Sequence, residues 1–107
     1  LCLYSNVTSS TGDPLSYLNN AMRSNGELNY GNYSNLEVDM LLDKMQLEFD
    51  IQERNALAEE IVQKVLEDDG YNFIAHLKVS FLMKNNVVGF NAHPTDYYQF
   101  NKDTYIQ

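Results

Sequence analysis

The chain has one cysteine in its 107 residues, so no intramolecular disulfide can form and cysteine usage does not reveal a redox compartment. A lone thiol in an apolar segment behaves as a small hydrophobe, and Cys2 is expected in a core. Cations are scarce too. Seven Lys and Arg stand against fifteen Asp and Glu, for a formal charge of −8. That balance excludes a phosphate-neutralising surface for nucleic acid, and it disfavours adhesion to anionic lipid. The acidic side chains are spread along helix faces, which reads as a solvated surface. No apolar run approaches the roughly 20 residues needed to cross a bilayer, and no signal peptide is visible. The chain opens on Leu1 within a strand-like segment, which predicts a piece of something longer.

Motifs of catalysis are missing as well. Neither His76 nor His93 has a second His, Cys or carboxylate at metal-ligand spacing. No nucleophile elbow accompanies the many serines. A Ser paired with His93 would need the fold to bring them together. Gly12 is isolated, so no glycine-rich phosphate loop follows a strand. Glu59-Glu60 and Asp68-Asp69 lie at or near a helix end and face solvent by pattern. These absences point away from an enzyme and give no reason to expect a cofactor.

What the chain does carry is helical amphipathicity. Val38, Leu41, Leu42, Met45 and Phe49 recur on one face of a helix, with Ser34 and Glu37 at capping-box spacing. Leu57, Ala58, Ile61, Val62, Val65 and Leu66 form a second stripe, with Asp50 and Glu53 placed to cap its start and Gly70 to stop it in a left-handed turn. The short link around Phe49 and Asp50 predicts that the two pack as an antiparallel hairpin. Leu36, Met40 and Leu47 fall opposite the first stripe, which predicts a helix covered on two sides.

On either side of that hairpin the pattern changes. Leu1 to Tyr4 reads as a short strand, Ser5 to Gly12 as a polar loop, and Asp13-Pro14 as the start of a helix reaching Met22. Ser24 to Tyr33, with its Gly, Asn and Tyr, reads as loop. After Gly70 the period drops to two. Phe73 to Leu77 and Val79 to Met83 predict two strands joined near Leu77-Lys78, or one strand kinked there, with Asn85-Asn86 a turn and Val87 to Phe90 a further strand. The tail holds Tyr97, Tyr98, Phe100 and Tyr105, with a late edge strand predicted at Thr104 to Ile106. The expected class is therefore α+β: an N-terminal strand and short helix, the hairpin, then antiparallel C-terminal strands. A polar loop entering a helix amino terminus offers hydroxyls, backbone amides and a positive dipole end. Ser9, Ser10, Thr11, Gly12 and Asp13 are the candidate ligand-binding residues, although Asp13 is better suited to capping the helix.

Ser10-Thr11-Gly12-Asp13-Pro14 with Tyr17-Leu18, then Tyr33-Ser34-Asn35-Leu36-Glu37-Val38-Asp39 with Leu41-Leu42, resembles the C-terminal part of extracellular solute-binding proteins of the peptide/nickel ABC-importer family. The order that follows resembles it too: a Glu- and Gln-rich helix, Asp-Asp-Gly, two strands, Val87-Val88-Gly89-Phe90 and an aromatic tail. The resemblance implies a two-lobed receptor that captures peptides or a nickel chelate and passes them to a membrane permease, without catalysis. It implies that residues 1–107 are one C-terminal piece of the ligand-binding lobe. It further implies an extracellular or periplasmic location and a lipid anchor through a missing N-terminus. The stripe of Leu36, Met40 and Leu47 and the aromatic tail would then face absent parts of the parent. Peptide-binding members place an acidic residue where Ser10 stands here. Nickel-chelate binders place an aromatic where Gly12 stands and a histidine soon after the next helix, and Arg23 to Tyr33 has none. Tyr30 or Tyr33 is a candidate aromatic wall. The rival expectation is a free-standing interaction domain that uses the hairpin as its binding surface.

Overall fold

A computed structural model describes residues 2–6, 12–78, 80–92 and 100–107. By contact it resolves into two compact units, Leu1–Phe73 and Ile74–Gln107. The first contains three helices: α1 (Leu15–Met22), α2 (Leu36–Leu47) and α3 (Ile51–Glu67). The second contains two short strands, β1 (Val87–Val88) and β2 (Tyr105–Ile106). The α+β class and the helical hairpin are as the sequence predicts.

The helical stripes meet as expected, except that Leu66 of the second stripe is exposed in the last turn of α3. Val38, Leu42 and Met45 of α2 and Leu57, Ile61 and Val65 of α3 are buried, and Leu18, Ala21 and Met22 of α1 complete the core with Tyr33. Contacts at both ends of the hairpin show that α2 and α3 run antiparallel. Lys64, in the last turn of α3, reaches Glu37 in the first turn of α2 at 2.6 Å. Tyr33 and Asn35, just before α2, donate to the carboxylate of Asp68 just after α3, at 2.7 and 2.6 Å. At the other end the link is only Glu48 to Asp50, where the Glu48 carboxylate accepts from the amides of Phe49 and Asp50.

Several local expectations are corrected. The cap of α2 is Asn35 rather than Ser34: its side-chain oxygen accepts from the amides of Glu37 and Val38, and the Ser34 hydroxyl donates to Ser24 instead. Phe49 does not join the core but is 91% exposed. Its place on the stripe required the helix to continue, whereas the backbone turns extended at Glu48. Asp50 caps α3 as predicted, accepting from Gln52 and Glu53. The left-handed residue that ends α3 is Asp69 (φ 55), not Gly70. Asp69 donates to the Leu66 carbonyl and Gly70 to that of Val65, the pattern of a Schellman cap. Asp tolerates this conformation better than most residues. Gly70 serves another purpose, because a Cβ there would lie 2.5 Å from the Tyr33 ring.

The strand expectations survive only in part. Cys2 to Tyr4 and Phe73 to Met83 pair with no strand among the described residues, and Val79 lies outside them. Alternation signals a half-buried strand only where a neighbour takes its amides and a core covers one face. Here Ile74, Leu77 and Leu82 are largely exposed. Cys2 is likewise exposed rather than in a core. The turn at Asn85-Asn86 forms, with the Val87 amide donating to the Lys84 carbonyl. It leads into β1, which pairs antiparallel with β2 in the register Val87–Ile106 and Val88–Tyr105. β1 stops short of Phe90 because Gly89 turns to φ +74, outside the β region. Beside the ladder, the rings of Phe81, Phe90 and Phe100 form a chain with centroid spacings of 5.3 and 6.3 Å.

Candidate functional site

The predicted ligand loop ends at the amino terminus of α1. Ser9, Ser10 and Thr11 lie outside the described residues, as do His93, Tyr97 and Tyr98, so the site is anchored here by Gly12 and Asp13. Gly12 is exposed, adopts φ +86, and no atom of the described residues lies within 4 Å of where a Cβ would stand. The left-handed conformation is one that Gly adopts without penalty.

Asp13 behaves as a cap, as its pairing with Pro14 predicts. One carboxylate oxygen accepts from the Leu15 amide at 2.8 Å. The other accepts from Nε of Arg54 at 3.0 Å and from Nη2 of the same guanidinium. Burial by itself would push the carboxyl up, but the Leu15 amide and the Arg54 guanidinium outweigh it and hold Asp13 below the usual range. With both oxygens engaged inside the chain, Asp13 supports the loop, and Gly12 is the described residue left open to a ligand.

Arg54 was not legible as part of this site. Besides Asp13, its Nη1 donates to the carbonyls of Met45 and Glu48, both at 2.7 Å, at the carboxyl end of α2. Those carbonyls lack partners within their own helix. One signal was available: a cation in the first turn of a helix stands against the dipole and calls for a partner elsewhere.

A group of tyrosines includes Tyr17 of α1 and Tyr71, which reaches the carboxyl end of that helix. The Tyr4 ring meets Tyr30 edge-on, with centroids 5.4 Å apart and planes at 89°. Burial, and next the adjacent Tyr4 hydroxyl, push Tyr17 up to about 12 and raise Tyr71 further. The Tyr71 hydroxyl donates to the Ala21 carbonyl at 2.5 Å. The Tyr4 hydroxyl is buried without a hydrogen-bond partner among the described residues. Tyr17 and Tyr71 are therefore neutral at physiological pH and can serve as polar-tipped walls, not as bases. Of the two tyrosines predicted as an aromatic wall, Tyr30 is half exposed, while Tyr33 is buried and tied to Asp68.

The loop from Ser24 to Tyr33 is built around Asn29. Its amide donates to the carbonyls of Arg23 (3.0 Å) and Tyr33 (2.7 Å), and its oxygen accepts from the Tyr33 amide (2.9 Å). Among the described residues, no three His, Cys, Asp or Glu side chains gather as a metal site. No helix of the described residues is long and apolar enough to cross a membrane.

The comparisons with known proteins fit this picture at a distance. The chain is 26% identical over 105 residues to the nickel-binding protein NikA of Staphylococcus aureus (strain NCTC 8325 / PS 47), a match covering 98% of this chain and 21% of that protein. The chain thus spans about a fifth of the length of this curated relative. No family model matches the chain, and no solved structure does.

Proposed function

We propose that these residues belong to the substrate-binding component of an ABC importer, which captures a small solute outside the cytoplasm and hands it to a membrane permease. The observation that carries this reading is the alignment, over 105 residues at 26% identity, with a fifth of a nickel-binding protein. Two features support it: the left-handed Gly12 and the capped amino end of α1. A polar loop held on a rigid helical base is a common way to present a binding surface.

The proposed ligand is a nickel chelate or a peptide. A chelate carries most of its metal's ligands with it and asks little of the protein, which suits the lack of a three-ligand cluster among the described residues. In this reading capture occurs by closure of two lobes, of which this chain supplies part of one. The reading also takes the protein to be secreted, lipid-anchored and without enzymatic activity. Its test is binding by the native gene product that carries these residues. Calorimetric titration with nickel(II), with a nickel(II)–glycine complex and with short peptides should show saturable uptake of one of them. No uptake of any would overturn the reading.

The second reading, an interaction domain that uses the hairpin, draws on the outer face of α2, where Leu36, Met40 and Leu47 are 75%, 63% and 77% exposed. It predicts concentration-dependent association that Met40→Glu abolishes.

A further inference from the structure

We infer that Asn25 is a site of spontaneous covalent modification, at which the side-chain amide is lost through a cyclic imide formed with the Gly26 nitrogen. The inference is independent of the binding reading above. Asn25 is the one asparagine of the chain that precedes a glycine. Attack on a side-chain amide by the next backbone nitrogen is least hindered there, because glycine has no side chain and a freely moving backbone. The step balances with water as its only co-reactant. The Gly26 nitrogen bonds to the side-chain carbonyl carbon of Asn25, the bond from that carbon to the amide nitrogen breaks, and ammonia leaves with the Gly26 proton. Water then opens the imide at either carbonyl. One opening gives aspartate; the other gives isoaspartate, with the main chain routed through the former side chain.

The fold explains why the glycine stands there and leaves the pair open to this chemistry. After α1 the chain reverses in a turn closed by the Gly26 amide, which donates to the Arg23 carbonyl at 2.9 Å, and the Leu28 amide donates back to the Asn20 carbonyl at 2.8 Å. Gly26 passes so close to α1 that a Cβ would overlap the Asn20 carbonyl, so a larger residue fits only if the backbone shifts. Asn25 stands exposed at the corner. The side-chain bonds that hold this loop come from its neighbours: Ser24 donates to the Asp39 carboxylate through its amide (3.0 Å) and its hydroxyl (2.7 Å), and Asn29 ties Arg23 to Tyr33. Opening the single Gly26–Arg23 bond therefore frees the attacking nitrogen, and local opening of one turn costs far less than global unfolding. Asn29 is the contrast. It is buried, both ends of its amide are engaged, and Tyr30 follows it.

The products strain the turn between α1 and α2. Aspartate adds a negative charge next to Ser24, which is already held by Asp39. Isoaspartate adds a methylene to the main chain between Ser24, fixed to Asp39, and Gly26, pressed against Asn20. That length cannot be absorbed without breaking one of these contacts.

The test holds the folded native gene product at physiological temperature and pH and follows it by peptide mapping with mass spectrometry. Asn25 should convert ahead of every other asparagine and yield both aspartyl and isoaspartyl peptides. Asn25→Gln enlarges the ring that must close and should abolish this early conversion. The isoaspartyl form, isolated by chromatography, should melt below the fresh protein. An Asn25 still intact after other asparagines have converted, or an unchanged early conversion in Asn25→Gln, overturns the inference. An isoaspartyl form that melts with the fresh protein overturns the strain argument.

Discussion

Asn29 offers the sharpest test of how the helical unit is held together. It is 8% exposed, and its side chain ties the two ends of the turn between α1 and α2 together, from Arg23 to Tyr33. Asn29→Ala strands the buried Tyr33 amide and carbonyl, while the Arg23 carbonyl keeps its bond from the Gly26 amide. Each buried group left unsatisfied costs about 1–3 kcal/mol, and partial relaxation brings the expected total to about 2–3 kcal/mol. For a unit of this size one kcal/mol moves the melting temperature by roughly 4–8 °C, so the expected loss is about 10–20 °C. Thermal and urea unfolding, followed by far-ultraviolet circular dichroism, would measure it. The urea midpoint should fall while the slope stays constant, since the surface exposed on unfolding is unchanged. Asn29→Asp keeps the acceptor for Tyr33 but aims a second acceptor at two carbonyls, and should fall at least as far at neutral pH. A loss below about 0.5 kcal/mol for Asn29→Ala would refute the reasoning, because it would mean that water replaces the amide at no net cost.

Other consequences can be checked separately. Gly70→Ala brings a methyl group into the buried Tyr33 ring and should destabilise by about 1–3 kcal/mol, read as a lower urea midpoint. Asp13 has its folded-state carboxyl held below the ordinary value, so its contribution is present above the unfolded pKa and lost as pH falls through the folded one. Asp13→Asn should flatten that acid limb of the stability curve. Tyr17 and Tyr33 are raised to about 12 by burial, with Tyr4 and Asp68 respectively adding to the shift. Their contribution is full below the unfolded value of about 10 and disappears as pH rises toward 12. Tyrosinate absorbance should show these phenols titrating later than free tyrosine, and titration of every tyrosine near 10 in the folded protein would contradict the burial argument. Gly89→Ala places a side chain against the Asp103 carbonyl at a positive φ. It should erase the cross-strand nuclear Overhauser contacts between Val88 and Tyr105.

Local periodicity was enough to locate the hairpin, because a helix buries every third or fourth residue whatever it packs against. Val38, Leu42 and Met45 facing Leu57, Ile61 and Val65 could therefore be read without coordinates, and so could the caps at Asp13 and Asp50. Strands are another matter. A strand exists through its neighbour, and the alternation from Phe73 to Met83 does not by itself create one. Even β1 ends where the Gly89 backbone leaves the β region, which residue type permits but does not dictate. The site divides along the same line. Asp13 at the helix start was visible in the chain itself; Arg54, lying 41 residues away, became its partner only through packing. Helical order is encoded in neighbours a few residues apart, whereas the Asp13–Arg54 pair joins stretches 41 residues apart that only tertiary structure could bring together.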